Sequence, residues 1–422
     1  MRAQKCKGSR DLSPEEMTKF RLIEGIFADC CFKRGYEEVR TPTLEYLHLF
    51  TSTGTLTPNM LGKVYSFLDW DGWSGERVVL RPDSTIPIAR LYIENMPEKE
   101  RAKLFYITNI FIFEETGEKT REKWQCGAEL IGEKSPLADV ELLVMALETL
   151  KRLKLKDIEL RLSHTGLIRA LLAKLSLSPE EQTRIFNQIL DGDTEALARI
   201  QPEQPDLGRA LSALLELKGK SSGFLKNIKS LFTHDLPELE SPLNNFISVV
   251  ELLDSLGYDY RIDIAAGRGF EYYTGVIYQF FIGGENLGAG GRYDALIPLM
   301  GGRDIPASGF ALYLDPLVKL VKPEALSKPQ HQRILVRAEA SEAEAIKASF
   351  SVANFLREAG YVVELHLSGH EPDTLMWKLD VQHRAPLFVL TDQVNHQRYE
   401  TQTANEILTL LGEKSADKDS PA

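Results

Sequence analysis

The sequence predicts an α+β chain: an antiparallel sheet flanked by helices, with a helical insertion and a small α/β C-terminal domain. Two runs rich in β-branched and aromatic residues, Leu104–Phe113 and Trp124–Ile131, flank a polar stretch containing Gly117. They read as two long antiparallel strands joined by a loop. A second block, Tyr260–Ala265 and Val276–Ile282 with a Gly-rich turn around Gly283–Gly291, reads as further central strands of such a sheet. The tail, Arg333 to Leu411, runs RILVRAE, a helix over Ser341–Glu358, YVVELHL, a helix over Asp373–His383 and PLFVLTD. That βαβαβ order with apolar strands implies a small parallel sheet.

With 422 residues, 43% of them hydrophobic, the chain can bury a large core in two or three domains. It has no apolar run of about 18 residues, and MRAQKCKGSRDL lacks the apolar centre of a signal peptide, so a soluble cytoplasmic protein with no membrane role is expected. Cys6, Cys30, Cys31 and Cys126 form no C-x-x-C pair and no Cys/His cluster, which argues against zinc and against a disulfide framework. Cys126 reads as a buried, inert thiol. A net charge of −11 without an evident basic stripe makes strong nucleic-acid binding a poor expectation.

In chain order, Ser13-Pro14-Glu15-Glu16 combines an N-cap Ser, a first-turn Pro and a Glu placed to close a capping box. The helix it starts should run to Arg34 before Gly35, with a strand from Tyr36 to Arg40 ahead of Pro42. Lys63–Trp70 and Glu76–Leu80 read as a hairpin with Asp71-Gly72 near its turn. Arg81-Pro82-Asp83-Ser84-Thr85 leads from a strand into a helix over Ile86–Glu94, so its short oxygen side chains can cap that helix. Pro136–Leu153 is helical, Ile158–Leu162 a buried strand, and His164 beyond it reads as a surface or hydrogen-bonded structural residue rather than a ligand. From about 171 to 241 the pattern turns helical and polar, with Lys218, Lys220, Lys226 and Lys229. Glu129 would lie on an inner strand, where a carboxylate is costly unless a positive or hydrogen-bonding group meets it. A ligand amine and a protein Arg are both candidate partners.

The pattern F-x-x-E, a loop, then Q-x-G-x-E over Phe111–Glu129 resembles motif 2 of class II aminoacyl-tRNA synthetases as histidyl-tRNA synthetases carry it. KGSRDLSPEE matches the opening of those enzymes, and the helix, strand and Pro after it resemble motif 1, which implies a homodimer through that region. Arg268-Gly269-Phe270-Glu271-Tyr272-Tyr273 is similar to their histidine-specific R-G-L-D-Y-Y segment. The resemblance implies a histidine site of Asp83, Thr85, Gln125, Glu129, Arg268, Tyr272, Tyr273 and Tyr293, with the tyrosines enclosing the imidazole and Arg268 on the carboxylate. The chemistry suits the ligand, because Tyr offers both a ring face and a hydroxyl, and Arg binds carboxylates bidentately. Asp83 stands where the family has a Glu and is one methylene shorter.

The nucleotide half departs from the family. Ile112 occupies the position of the motif 2 Arg that holds the α-phosphate, and the loop EETGEKTR is one residue shorter and less basic, with Arg121 kept. In motif 3, Gly309 to Leu317, Pro316 replaces the Arg that stacks over adenine and Tyr313 replaces a Gly; a Pro inside a helix is not a neutral exchange. GGENLGAGGRYD lacks the Lys-Ser/Thr and the following helix of a phosphate loop. One lost contact of the phosphate kind costs ~2.7 to 4 kcal/mol, so two slow activation by roughly four to six orders of magnitude if independent. No useful adenylate formation is expected.

A synthetase body with eroded ATP motifs is similar to the regulatory subunits of heteromeric ATP phosphoribosyltransferase, which serves the first step of histidine biosynthesis. That resemblance implies no catalysis of its own, no cofactor and no tRNA binding. It also implies a partnership with a short-form catalytic subunit, and histidine as effector. The domains expected are a synthetase-like core over 1–325 with the insertion at about 171–241, a reduced anticodon-binding-like domain over 331–412 without the family's terminal hairpin, and a disordered tail over 413–422. A divergent synthetase, detected by tRNA charging, and a scaffold that no longer binds histidine, detected by the absence of a thermal shift, are the alternatives.

Overall fold

The computed structural model describes residues 4–53, 56, 61–70, 75–113, 121–174, 177–190, 216–264, 272–322, 333–338, 343–366, 376–385 and 387–416. The chain divides into two compact units, Met1–Leu326 and Ser327–Ala422.

The first unit is built on a nine-stranded sheet. Second and third from one edge, Ala102–Phe111 and Glu122–Ile131 run antiparallel, in register from Ala102 opposite Ile131 to Phe111 opposite Glu122. Ala307–Tyr313, Glu285–Arg292, Val276–Ile282 and Glu159–His164 follow in that order, each antiparallel to the one before, and Glu159–His164 pairs parallel with Arg261–Asp263 on its other side. Successive side chains on a strand face opposite ways, and the sheet uses this to build two cores. Phe105, Cys126, Ala128 and Leu130 point to one side, against Phe20, Ile23 and Phe27 of the helix Pro14–Phe32 and against the helix Pro136–Arg152. Leu104, Tyr106 and Ile131 point to the other, among Ile86, Ile88, Ala89, Tyr272, Tyr273 and Tyr293. Glu129 shares the parity of Ile131 and enters this second core.

The helix Pro14–Phe32 starts as its sequence predicts. Ser13 Oγ accepts from the Glu16 amide at 3.2 Å, and Glu16 Oε2 accepts from the Ser13 amide at 2.8 Å. The expected strand Tyr36–Arg40 shrinks to Glu37–Glu38, and the hairpin is Ser66–Asp69 with Glu76–Leu80, its turn residues Asp71 and Gly72 lying outside the described residues. The strand expected at Tyr260–Ala265 covers only Arg261–Asp263 and sits next to the sheet edge rather than at the centre. The Gly-rich turn expected over Gly283–Gly291 is confined to Gly283 and Gly284, with φ of +58° and +89°, and the rest is strand. The later glycines serve close approach instead: a Cβ on Gly290 would meet Tyr278 Cε2 at 2.5 Å. Within the expected insertion the described helices include Pro179–Leu190, Ser222–Phe232 and the start of Glu240–Ser255, while 191–215 lie outside the described residues. Three of its lysines are engaged: Lys218 with Asp263 at 3.3 Å, Lys226 with Glu251 at 2.6 Å and Lys229 with Glu240 at 3.4 Å.

The second unit holds a five-stranded sheet. Arg333–Ala338 is parallel to Val362–Leu365 and to Trp377–Val381, as a βαβ start requires. The expected helix Asp373–His383 is instead the strand Trp377–Val381, whose Trp377, Leu379 and Val381 are buried while Lys378 and Asp380 are half-buried, a period of two. It pairs antiparallel with Phe388–Asp392, and Arg398–Thr401 completes a hairpin there that the sequence reading had missing. The sheet is therefore mixed rather than parallel. The last helix, Ala404–Ala416, runs past Leu411 into the stretch expected to be disordered.

Candidate functional site

Two carboxyl groups and a set of hydroxyls meet on the second face of the large sheet. Gln125, Gly127 and Glu129 alternate along one strand and so face the same side. Opposite them, Asp83, Ser84 and Thr85 open the helix Thr85–Asn95. Asp83 Oδ1 caps that helix by accepting from the Ile86 amide at 2.9 Å, and its Oδ2 accepts from the Tyr272 hydroxyl at 3.5 Å. The capping reading and the ligand reading of Asp83 thus use different oxygens of one group.

Glu129 is 1% exposed. Its Oε1 accepts from Thr85 Oγ1 at 2.9 Å and from the Tyr106 hydroxyl at 3.2 Å, and its Oε2 from the Tyr293 hydroxyl. Among the described residues no Lys or Arg forms an ion pair with it, so the protein Arg considered as its partner is replaced by hydroxyls. Burial pushes Glu129 up to about 8, with the charge of Asp83 adding to the rise and the hydroxyls opposing it. Burial likewise pushes Asp83 up to about 6 against the pull of the helix amides. Gln125 Oε1 accepts from Ser84 Oγ at 3.1 Å.

Tyr272, Tyr273 and Tyr293 are packed together, with Tyr272 centroids 5.0 Å from Tyr273 and 5.6 Å from Tyr293. Glycines make the room. A Cβ on Gly309 would lie 1.6 Å from Glu129 Oε2, one on Gly127 2.3 Å from the Tyr106 ring, and one on Gly291 3.0 Å from the Tyr273 ring. Of the site residues expected from the sequence, Asp83, Thr85, Gln125, Glu129, Tyr272, Tyr273 and Tyr293 come together, while Arg268 lies outside the described residues. Tyr106 was missed, although it stands opposite Gly127 in the strand pair, a large ring against a residue with no side chain. The assembled groups suit a ligand with an ammonium group, two acidic oxygens to meet it, and a flat ring to lie among the tyrosines.

Toward Ile112 and Pro316 the chemistry changes. The Ile112 amide donates to the Arg121 carbonyl at 2.9 Å, and the Arg121 amide to the Gly8 carbonyl at 2.7 Å. The Arg121 guanidinium lies over the Phe113 ring, 4.4 Å from its centroid, and Arg10 is ion-paired with Asp315. Both cations are thus drawn into packing the N-terminal segment onto these motifs. Pro316 is accommodated as the third residue of the helix Leu314–Leu320, where no intrahelical N–H bond is lost; the expected strain is absent, though a cation is still missing. Tyr313 is half-buried beside this region, and burial with the nearby Asp83 charge raises its hydroxyl to about 12.

His164 is buried, its Nδ1 accepting from the Gly166 amide at 3.1 Å and its Nε2 3.2 Å from Asn245 Oδ1. Burial lowers it to about 4, so it stays neutral. Cys126 is buried and its thiol raised well above its ordinary value by that burial. Among the described residues no cluster of His, Cys, Asp and Glu could hold a metal ion, and no helix is long and apolar enough to cross a membrane.

Fold and cradle together define a class II aminoacyl-tRNA synthetase-like protein, and residues 8–317 match the family model described as histidyl-tRNA synthetase. The chain is 52% identical to the ATP phosphoribosyltransferase regulatory subunit of Dehalococcoides mccartyi strain BAV1 over 413 residues, 98% of this chain and 99% of that one. It is 32% identical to the histidine–tRNA ligase of Methanocaldococcus jannaschii over 375 residues, 87% of each chain. A crystal structure from Bacillus halodurans, titled an ATP phosphoribosyltransferase regulatory subunit/histidyl-tRNA synthetase, superposes with a TM-score of 0.73 at 26% identity, covering 87% of this chain and 94% of that one. The chain belongs to the ATP phosphoribosyltransferase regulatory subunits, a family built on the histidyl-tRNA synthetase fold.

Proposed function

We propose that the protein is a non-catalytic, cytoplasmic regulatory subunit that binds histidine in the cradle of Asp83, Thr85, Gln125, Glu129, Tyr272, Tyr273 and Tyr293, with Arg268 completing it. It pairs as a homodimer through the region of the helix Pro14–Phe32. It associates with a short-form catalytic phosphoribosyltransferase, makes that subunit active and renders it responsive to histidine. The observation that carries this reading is the asymmetry between two halves of one site. Amine- and ring-binding groups are gathered around Glu129, whereas Ile112 and Pro316 stand at the positions of phosphate cations and Arg10 is spent on Asp315.

The histidine side rests on charge. The α-ammonium of an amino acid matches two buried carboxyl groups that have hydroxyl and amide partners but, among the described residues, no cation, and such a pairing is a charge-assisted bond of the stronger kind. The absence of synthetase activity rests on transition-state charge. In-line attack on an α-phosphate needs positioned cations, and neither Ile nor Pro supplies one.

Titration calorimetry with L-histidine tests the first half, and ATP–pyrophosphate exchange tests the second. Saturable histidine binding without exchange is expected. Exchange at a rate typical of a synthetase overturns the non-enzymatic reading, and an absence of histidine binding overturns the sensing one. Capture of a short phosphoribosyltransferase by the tagged protein tests the partnership.

A further inference from the structure

The strand end Gly291–Asp294 holds both walls of the cradle. Tyr293 sends its hydroxyl to Glu129. The Arg292 carbonyl accepts from the amides of Thr274 at 2.8 Å and Gly275 at 3.3 Å, the two residues that follow Tyr272-Tyr273, and the Asp294 amide donates to Thr274 Oγ1 at 2.9 Å. Tyr272 and Tyr273 lie outside any helix or strand, so these bonds do for that corner what a ladder does elsewhere. Packing adds to them: a Cβ on Gly275 would lie 3.0 Å from Arg292 Cβ, so the backbone there lies flat on the arginine stem.

What places this strand end is the Arg292 side chain. It is buried, and it spreads its guanidinium over four acceptors in five contacts: Asp139 Oδ2 from Nε and Nη2, both at 3.0 Å, the Glu133 carbonyl at 3.0 Å, Asp294 Oδ1 at 3.2 Å and the Ser135 carbonyl at 3.3 Å. Asp139 lies in the first turn of the helix Pro136–Arg152. Arg292 therefore pins the tyrosine walls to that helix without itself touching the groups of the cradle.

We propose that Arg292 is a positioning residue for the amine-binding cradle, setting Tyr293 against Glu129 and the Tyr272-Tyr273 corner across from them. This rests on the cradle being the histidine site. A planar fork is required, because four acceptors in this arrangement cannot all be met by the point charge of a lysine.

The test uses the full chain, with L-histidine as the titrant and backbone amide hydrogen exchange as a ligand-free readout. Arg292→Met is expected to weaken histidine binding at least tenfold and to speed exchange at Thr274, Gly275 and Asp294, while the amides of the Val276–Ile282 strand keep their protection. Arg292→Lys should fall between that variant and the wild type. In the double variant Arg292→Met/Tyr293→Phe the loss should be less than the product of the single losses, since both act on the same Glu129 contact. Arg292→Lys and Asp139→Asn give the same readouts should the methionine variant fail to fold. Affinity within twofold of wild type in all the folded variants, or unchanged exchange at Thr274 and Gly275, overturns the proposal. If the wild type itself takes no histidine, the histidine reading falls, and the exchange measurement alone decides whether Arg292 positions the corner.

Discussion

A carboxyl group surrounded by hydroxyls, as Glu129 is, keeps its proton more easily than it gives up its charge. Burial raises its folded-state pKa to about 8 from an ordinary 4.5. A raised carboxyl pKa means that folding favours the protonated form, so its contribution to stability is complete below pH 4.5 and is lost as pH climbs toward 8. The loss is at most about 1.4 kcal/mol per pH unit in that window. Glu129→Gln removes the titration and should flatten the decline in stability between about pH 6 and 8, read by urea denaturation at several pH values; an unchanged decline would assign it to other groups. The same substitution should weaken histidine binding by roughly 10- to 150-fold, because a bond to a charged group is worth about 1.5–3 kcal/mol. An ammonium ligand needs the carboxylate, so histidine binding near neutral pH should expel a proton and tighten as pH rises toward 8. Calorimetry in buffers of different ionisation heat measures that proton, and binding heats that ignore the buffer would contradict it. Glu129 was legible in the sequence as a charge in the wrong place, whereas the tyrosines were named only by the resemblance to the histidyl-tRNA synthetase segment. Its hydroxyl partners were not legible, since Thr85 lies 44 residues away and Tyr293 164 residues away.

Elements were readable where a local signal sufficed and misread where packing decided. The capping box at Ser13 is local, and both of its reciprocal bonds are present. Ser13→Ala should therefore cost about 1 kcal/mol of stability, measured by chemical denaturation of the intact chain, and a neutral effect would mean that the helix Pro14–Phe32 is held by its core contacts alone. Trp377–Val381 is the opposite case. Five residues offer too short a window to tell period two from a buried helical turn, and its strand form comes from pairing with Arg333–Ala338 on one side and Phe388–Asp392 on the other. The glycines of Glu285–Arg292 misled for a related reason: glycine weakens a strand intrinsically, yet here it admits the Tyr278 and Tyr273 rings. Gly309 makes the clearest element-level claim. Gly309→Ala puts a carbon 1.6 Å from the present position of Glu129 Oε2 and 2.8 Å from the Ala128 carbonyl, so the carboxyl group must move. Overpacking of this kind costs about 1–3 kcal/mol, and histidine affinity should fall at least tenfold, whereas wild-type affinity would mean that Glu129 is not a ligand contact.

For the whole molecule, what matters is that one site faces two chemistries and that regulation is an exchange of free energy between sites. A net charge of −11 over the whole chain and the absence of phosphate cations at Ile112 and Pro316 both count against a triphosphate ligand. The cradle around Glu129 lies against elements that reach outward: Arg292 ties its wall to the helix Pro136–Arg152, and Arg152 and Glu148 at the far end of that helix join Asp29 and Arg34 at 2.7 and 2.5 Å, beside the end of the helix Pro14–Phe32. These contacts form a set of links, buried at Arg292 and Asp139 and reaching the surface at Arg152, from the cradle to the helix proposed for dimerisation. Such a set makes coupling physically available without fixing its size. The size is open to measurement because coupling is reciprocal: if histidine lowers the activity of a catalytic partner by disfavouring the partner's substrate-bound state, that partner's substrates must lower histidine affinity by the same factor. Ordinary couplings of about 1–3 kcal/mol correspond to roughly 5- to 150-fold. Histidine titrations of the assembled complex, with and without saturating substrate of the catalytic subunit, should therefore differ by a factor in that range. Arg292→Lys should shrink that factor as well as the affinity itself, since it loosens the link as well as the cradle. Equal affinities in the two titrations would leave the protein a histidine-binding scaffold, with the control of its partner lodged elsewhere.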